Sequence, residues 1–234
     1  MALIALISDV HGNLPALEAV LEKIDTYKPD QWICLGDIVG YGPFPAECVD
    51  LIRDRNIPTV MGNHDAGVTG KLTIKHFRGP NRVLIEKTKE LLSEEQLTWL
   101  RELPVTLKEE NNWTAVHANP IEPLKWEYVD SAIKARKMLQ TLETQLCFVG
   151  HTHIPFVVSD QIGSIGFKKE HKYLINPGSV GQPRDDDFRA SFCLLDTVKW
   201  EIKTERVDYN TEKVLTGLNN LGFSRSESHR LLRY

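Results

Sequence analysis

The sequence predicts an α/β fold, a four-layer α/β/β/α sandwich of two mixed sheets flanked by helices, as one domain over residues 1–234. Three observations predict it. The amino-terminal half alternates short apolar runs with helical apolar periodicity, as parallel strands joined by crossover helices do. The carboxy-terminal half carries a set of short β-rich runs. Reactive side chains fall just after apolar runs, where strand ends converge at one edge of an open sheet.

Residues 2–7 form a continuous apolar run, as a strand buried on both faces should. Asn13 is placed to cap a helix with Pro15 in its first turn, and Leu14, Leu17, Leu21 and Ile24 follow at helical spacing. Residues 32–35 read as a second strand, 45–55 as a second helix and 59–61 as a third strand. Over 66–104 the pattern changes to a lid-like insertion, interrupted by Gly67, Gly70, Gly79 and Pro80; Ser93 then starts a helix that Pro104 stops. Residues 105–108 and 113–117 flank Asn111-Asn112 as a hairpin, and a helix follows over 131–142. The run 147–149 ends at Gly150-His151-Thr152-His153. Residues 156–159, 173–175, 191–195 and 200–207 read as an antiparallel set, with two short helices within 211–234.

A net charge of −4 leaves no basic surplus for tracking a long nucleic acid. No stretch is long enough to cross a bilayer, and the opening apolar run is too short for a signal-peptide core, so a cytoplasmic protein is expected. Cys34, Cys48, Cys147 and Cys193 lie far apart with no C-x-x-C pair. They read as buried, reduced thiols and not as a disulfide framework or a structural zinc site.

The chemistry gathers in five clusters: Asp9 with His11, Asp37, Asn63, His117, and His151 with His153. Taken alone, each has a bland reading. D-x-H is common, an Asp after Gly is usually a turn residue, and a lone buried His is usually a satisfied core residue. Yet His11, His64, His117, His151 and His153, five of the eight histidines, all fall at predicted strand ends. Imidazole, carboxylate and amide donors without thiolates suit divalent manganese, iron, zinc or nickel, with manganese first. Metal-assisted hydrolysis is the reaction class that such a set predicts.

In their order along the chain, D-x-H, G-D, G-N-H-D, a single His after a strand and G-H-T-H resemble the motifs of the calcineurin-like metallophosphoesterases. Asn176-Pro177-Gly178-Ser179 resembles the turn that follows in the small bacterial members. The resemblance implies one metal on Asp9, His11, Asp37 and His153, and a second on Asp37, Asn63, His117 and His151. Asp37 then bridges two divalent cations, and His64 stays off the metals as proton donor to the leaving oxygen. It implies hydrolysis of phosphodiester or phosphomonoester bonds of small phosphorylated substrates by water activated between the ions. A dinucleoside polyphosphate hydrolase and a non-catalytic scaffold of the same fold are the alternatives. Gly40 and Tyr41 stand where the protein serine/threonine phosphatases of this family carry an acid and a phosphate-gripping Arg, which leaves Asp65 as a candidate partner for His64.

Gly178-Ser179-Val180-Gly181 lacks the spacing of a nucleophile elbow and reads as a turn. Arg184, beside Asp185, Asp186 and Asp187, reads as part of a solvated charged loop in preference to a phosphate contact. Lys71, Lys75 and Arg78, with Arg82 beyond the break, read as an exposed face in preference to a basic lid over polyphosphate. Trp126 and Tyr128 are placed either to stack on a base or aryl group or to pack in the core.

Overall fold

A computed structural model describes residues 3–77, 80–109, 112–163 and 166–232. Ala2, Arg78, Gly79, Asn111, Arg233 and Tyr234, which figure in the expectations above, lie outside the described residues. The chain opens with β1 (Leu3–Ile7), α1 (Leu14–Asp25), β2 (Gln31–Cys34) and α2 (Pro45–Asp54). Asn13 caps α1 by accepting from the Ala16 amide at 3.2 Å, and Leu17, Val20, Leu21 and Ile24 form the buried stripe. Next come α3 (Asn63–Val68), α4 (Pro80–Glu90) and α5 (Glu94–Glu102), the last closed by a reciprocal Ser93–Gln96 capping box. Pro80 does not merely interrupt the pattern; as a first-turn residue it opens α4.

The remaining elements are β3 (Thr106–Glu109), β4 (Trp113–Val116), α6 (Ala132–Thr141), β5 (Leu146–Phe148), β6 (Phe156–Ser159) and β7 (Tyr173–Asn176). Then follow β8 (Ala190–Asp196), β9 (Glu201–Val207), α7 (Thr211–Asn220) and α8 (Arg225–Leu232). One sheet has the order β2-β1-β8-β9 and the other β3-β4-β5-β7-β6. Both are mixed: β1 runs parallel to β2 and antiparallel to β8, while β5 runs parallel to β4 and β7.

Two expectations need correction. Residues 59–61 do not form a strand; only a parallel bridge joins Thr59 to Cys34. Pro58 has no amide to extend that ladder, and the Met61 amide turns to the Pro104 carbonyl at 2.8 Å. The antiparallel set also divides. β6 and β7 pair in one sheet, β8 and β9 in the other, and β7 lies inside its sheet beside β5. Full burial of β7 on both faces is the reason: its continuous apolar run suits an interior strand.

Alternation along β1 builds two cores at once. Ala5 and Ile7 face α1 and α2 together with Leu17, Val20 and Ile52. Ile4 and Leu6 face the opposite sheet, where they meet Phe148, Tyr173 and Ile175. A third core packs Ala135 and Leu139 of α6 against Cys147, Val149 and Leu174. Three apolar interfaces separate four layers, and burying each large side chain is worth about 1.5–3 kcal/mol. All four cysteines are buried and free. No helix among the described residues is long and apolar enough to cross a membrane.

Candidate metal centre

Every predicted ligand sits beyond a strand end or at the first turn of a helix on the same edge of the sandwich. The loops after β1 and β2 continue side by side: the Asp9 amide donates to the Gly36 carbonyl at 3.0 Å and the His11 amide to the Asp37 carbonyl at 2.9 Å. The loops after β4 and β5 are joined in the same way, with the Gly150 amide on the His117 carbonyl at 2.8 Å. The turn at Asn176–Ser179 locks the two sheets' loops together. Asn176 Nδ2 donates to the Gly150 carbonyl at 2.7 Å, and Ser179 Oγ donates to the Asp9 carbonyl at 2.7 Å. Ser179 is thus a bracket for the loops, as its spacing predicted, with its hydroxyl turned to the backbone.

The backbone bends sharply at these loops. Asp9, His11, Asp37, His151 and His153 all lie in the left-handed region, with φ of 53°, 50°, 51°, 66° and 61°. Such conformations cost about 1–3 kcal/mol each and persist where the surroundings over-determine them. Five of the seven predicted ligands occupy them. The bends turn side chains of adjacent loops toward one point.

Four imidazoles are oriented from outside. His11 Nδ1–H donates to the Val39 carbonyl at 3.1 Å and His117 Nδ1–H to Leu35 at 2.7 Å. His153 Nδ1–H donates to the Gln182 carbonyl at 2.6 Å, and His151 Nε2–H to Trp126 at 3.0 Å. A carbonyl can only accept, so each outer nitrogen carries a proton, and where the ring is neutral the inner nitrogen offers a lone pair. His11 Nε2 and His153 Nε2 then face each other at 3.1 Å, as do His117 Nε2 and His151 Nδ1. Burial holds His11 and His153 well below the usual histidine range and pushes His151 down to about 3. Burial opposes charge on His117 too, but the Asp37 carboxylate beside it lifts that ring to about 9.

Two carboxylates complete the set. Asp9 Oδ2 accepts from Ser8 Oγ at 2.6 Å and from the His151 amide at 3.0 Å, while Oδ1 has no hydrogen-bond partner and lies 3.3 Å from His153 Nε2. Asp37 Oδ1 accepts from the His64 amide at 2.8 Å, and Oδ2 lies 3.3 Å from His117 Nε2 and 3.7 Å from His11 Nε2. Asn63 Oδ1 is likewise buried without a partner among the described residues. Donor atoms of Asp9, His11 and His153 form one tight group and those of Asp37, His117 and His151 another, with Asp37 also grouped with His11 and His64. Inner nitrogens converging with their outer protons already committed, His117 yielding its second proton to a cation, together with orphaned buried carboxylate and amide oxygens, are a fit for divalent cations.

Asp65 does not partner His64. Its Oδ2 accepts from the amides of Asp37 and Gly62 at 2.8 and 2.9 Å, and its Oδ1 from those of Ile38 and Val39 at 3.0 and 3.3 Å. Both oxygens are fully engaged in shaping the Asp37 loop, which corrects the sequence reading. His64 instead sits among rings, 4.8 Å from both His11 and Tyr41 and 5.2 Å from Phe77, with Nδ1 unpartnered. Burial pushes it down to about 4, against the pull of Asp37.

Above the cluster opens a pocket of about 400 Å³ whose walls include Tyr41, Asn63, His64, Phe77, Trp126 and Arg184. Arg184 is therefore not part of a solvated loop, again a correction. Its guanidinium donates to Gln182 Oε1 at 2.9 Å and to the hydroxyls of Tyr41 and Tyr128 at 3.3 Å each. The neighbouring acids are engaged elsewhere, Asp185 with Arg206 and Asp187 with Arg189. Sequence reasoning discounted this residue because three adjacent carboxylates suggested local pairing. Trp126 and Tyr128 reach the pocket too, Tyr128 stacked on His151 at 4.1 Å and 16°.

A family model for the calcineurin-like phosphoesterase superfamily domain matches residues 2–199. An uncharacterized protein of Methanocaldococcus jannaschii is 43% identical over 226 residues, covering 91% of this chain and 90% of its own. The phosphodiesterase YfcE of Escherichia coli is 27% identical over 200 residues, 81% of this chain and 84% of its own. A crystal structure of a metallophosphoesterase from Sphaerobacter thermophilus superposes with a TM-score of 0.84 at 38% identity, over 98% of both chains. The chain belongs to the calcineurin-like phosphoesterase superfamily and is a metal-dependent phosphoesterase.

Proposed function

We propose that this chain hydrolyses phosphodiester or phosphomonoester bonds of small phosphorylated substrates with two divalent cations, manganese first among them. The observation that carries the reading is the pair of donor groups, Asp9–His11–His153 and Asp37–His117–His151, buried side by side at one edge of the sandwich. Asp9, His11, Asp37 and His153 would hold one cation. Asp37, Asn63, His117 and His151 would hold the other. Bound cations of this kind lower the pKa of coordinated water and neutralise charge on phosphoryl oxygens. The protein's own groups do the rest. The four backbone carbonyls fix the imidazole tautomers, and the Asp65 carboxylate fixes the loop that presents Asp37. Arg184, held by Gln182 and two tyrosine hydroxyls in the pocket wall, would lend its positive charge to phosphoryl oxygens and has one N–H left to donate. His64, in the pocket wall with its Nδ1 unpartnered, would give a proton to the leaving oxygen, a transfer worth about 10²–10⁴ in rate.

The relative named a phosphodiesterase supports this reading over a non-catalytic scaffold, as does retention of the whole predicted donor set. A dinucleoside polyphosphate finds less support. Lys125 is in the pocket wall but pairs with Glu122 at 2.6 Å, Arg82 pairs with Glu86 at 3.6 Å, and neither Lys71 nor Lys75 is part of that wall. Leu72 and Phe77 in that wall support reading 66–104 as an insertion that covers the site. Buried free thiols favour a cytoplasmic setting.

The test is metal content and turnover together. Manganese-loaded protein should bind two equivalents and hydrolyse phosphate esters. Asp37→Ala should lose both, and full activity in that variant would dismiss the shared carboxylate. His64→Ala should keep its metals and lose turnover on esters with poor leaving groups; unchanged turnover there would remove His64 from the reaction.

A further inference from the structure

Beyond Tyr128 lies a second cleft of about 420 Å³, open to solvent and assigned to nothing so far. Its apolar lining comes from Val129, Ala132, Ile154, Phe156 and Val158, with Tyr128 as the wall that it shares with the metal pocket. The two are contiguous in sequence as well as in space. Thr152, between the predicted ligands His151 and His153, lines this second cleft, and Ile154 follows directly. Tyr128 itself is fixed at the junction, its ring stacked on His151 and its hydroxyl accepting from Arg184.

The chemistry of the cleft selects its occupant. The polar groups at its edge already have partners: Asp130 pairs with Lys134 at 2.8 Å, Ser131 Oγ accepts from the Lys134 amide, and Thr152 Oγ accepts from Asn176 Nδ2 at 3.0 Å. No cation lines it, so a second phosphate would meet no counter-charge there. Two aromatic rings, Tyr128 and Phe156, and four aliphatic side chains offer instead a surface for a flat, uncharged ring. Large apolar side chains at its lip, Ile154 at 44% and Tyr128 at 43% exposed, are the kind of surface that ligand grooves leave open. The volume is ample for one such ring system.

We propose that this cleft receives the aromatic group of an ester whose phosphate the metal pocket holds, either an aryl ring esterified directly or the base of a nucleoside esterified through its sugar. The proposal rests on the phosphoesterase reading above and names its substrate class: phosphate esters that carry a flat ring, joined directly in an aryl ester or through the sugar in a nucleoside ester. Tyr128 then divides the substrate, phosphate on the Arg184 side and ring on the Phe156 side.

Binding and turnover test it separately. Calorimetry on the manganese-loaded protein compares benzylphosphonate, whose methylene stands in for the ester oxygen of a phenyl ester, a nucleoside phosphonate and methylphosphonate. The ring-bearing ligands should bind about 10- to 100-fold tighter than the methyl compound, the range that apolar pocket contacts give. Ile154→Asp, which charges the cleft, and Ala132→Trp, which fills it, should bring that ratio toward one. Both positions are exposed, so the fold tolerates the changes. Tight benzyl binding without nucleoside binding identifies an aryl substrate; tight binding of both identifies a nucleobase. A ratio near one in the unaltered protein, or one that neither variant moves, overturns the cleft while turnover of an aryl phosphodiester still upholds the phosphoesterase. Loss of turnover on every ester instead overturns the phosphoesterase reading itself.

Discussion

Replacing Asp65 by Asn tests how the fold holds the Asp37 loop. The carboxylate accepts four backbone amides, two on each oxygen, at 2.8 to 3.3 Å, and it is fully buried. Asparagine is nearly the same shape but keeps only one acceptor. Its amide group must face two of the donors, so either the Ile38 and Val39 amides or the Asp37 and Gly62 amides lose their partner. A buried donor left unpaired costs about 1–3 kcal/mol, which puts the variant about 2–6 kcal/mol below the parent. That is a large fraction of the about 5–15 kcal/mol that a domain of this kind has in total. The assay is a urea midpoint at pH 7 with the slope held fixed, alongside metal content of the folded protein. Because each pair includes an amide of the Asp37–Val39 turn, either loss loosens the loop that presents Asp37, and the variant should also bind less metal under conditions where it remains folded. A midpoint within about 0.5 kcal/mol of the parent, with full metal content, would refute the bracket role; substitutions away from such features usually fall in that range.

Gly62→Ala places a Cβ 2.0 Å from Asp37 Oδ1 and 2.3 Å from its amide, at an ordinary φ of −92°, so crowding alone acts. It should lose about 1–3 kcal/mol and its metals, whereas Gly70→Ala, with nothing within 4 Å, should keep them; metal analysis of the two separates the cases. Burial raises the thiols of Cys34, Cys147 and Cys193 from 9.0 to about 12. With the folded value above the unfolded one, their contribution is fully present below pH 9.0 and is lost as pH rises through about 12. Denaturant midpoints should therefore fall across that window, and a thiol reagent at pH 8 should label the native protein only after unfolding; rapid labelling of the folded state would contradict this. Chelation should lower the Tm of the loaded protein, by about 2.7 kcal/mol of lost linkage where free metal stood at a hundred times Kd.

Much of the fold was legible because its cues are local. Asn13, Ser93 and Ser131 each cap a helix where the sequence placed its start, since a side-chain oxygen reaching the third amide needs only nearest-neighbour geometry. What escaped was settled by distant partners. Nothing near residues 59–61 announces that Pro104 takes the Met61 amide, and nothing near β7 announces that β5 lies beside it. The apolar run of β7 carried a hint, because a strand with one wet face would alternate.

The same distinction divides the site. Asp9, His11, Asp37, His117, His151 and His153 are visible because each lies within a few residues of the end of a strand-like run, and the topology brings such ends to one edge. Arg184 has no such marker. Its position depends on Tyr41, 143 residues earlier in the chain, whose hydroxyl it meets at 3.3 Å and whose ring it covers at 6.0 Å. The sequence of the loop after Asp37 shows only that Tyr41 stands where related phosphatases carry an Arg. The fold supplies the guanidinium from another loop and uses the tyrosine to hold it. A cation reached through its neighbour's hydroxyl keeps the corner's positive charge while freeing the Asp37 loop to bend at Gly40, whose φ is 104° and whose added Cβ would lie 2.4 Å from His64 Nδ1. On the proposed function, the glycine, the tyrosine and the arginine would be one solution to a single constraint: charge for a phosphate beside His64, whose amide donates to Asp37 at 2.8 Å.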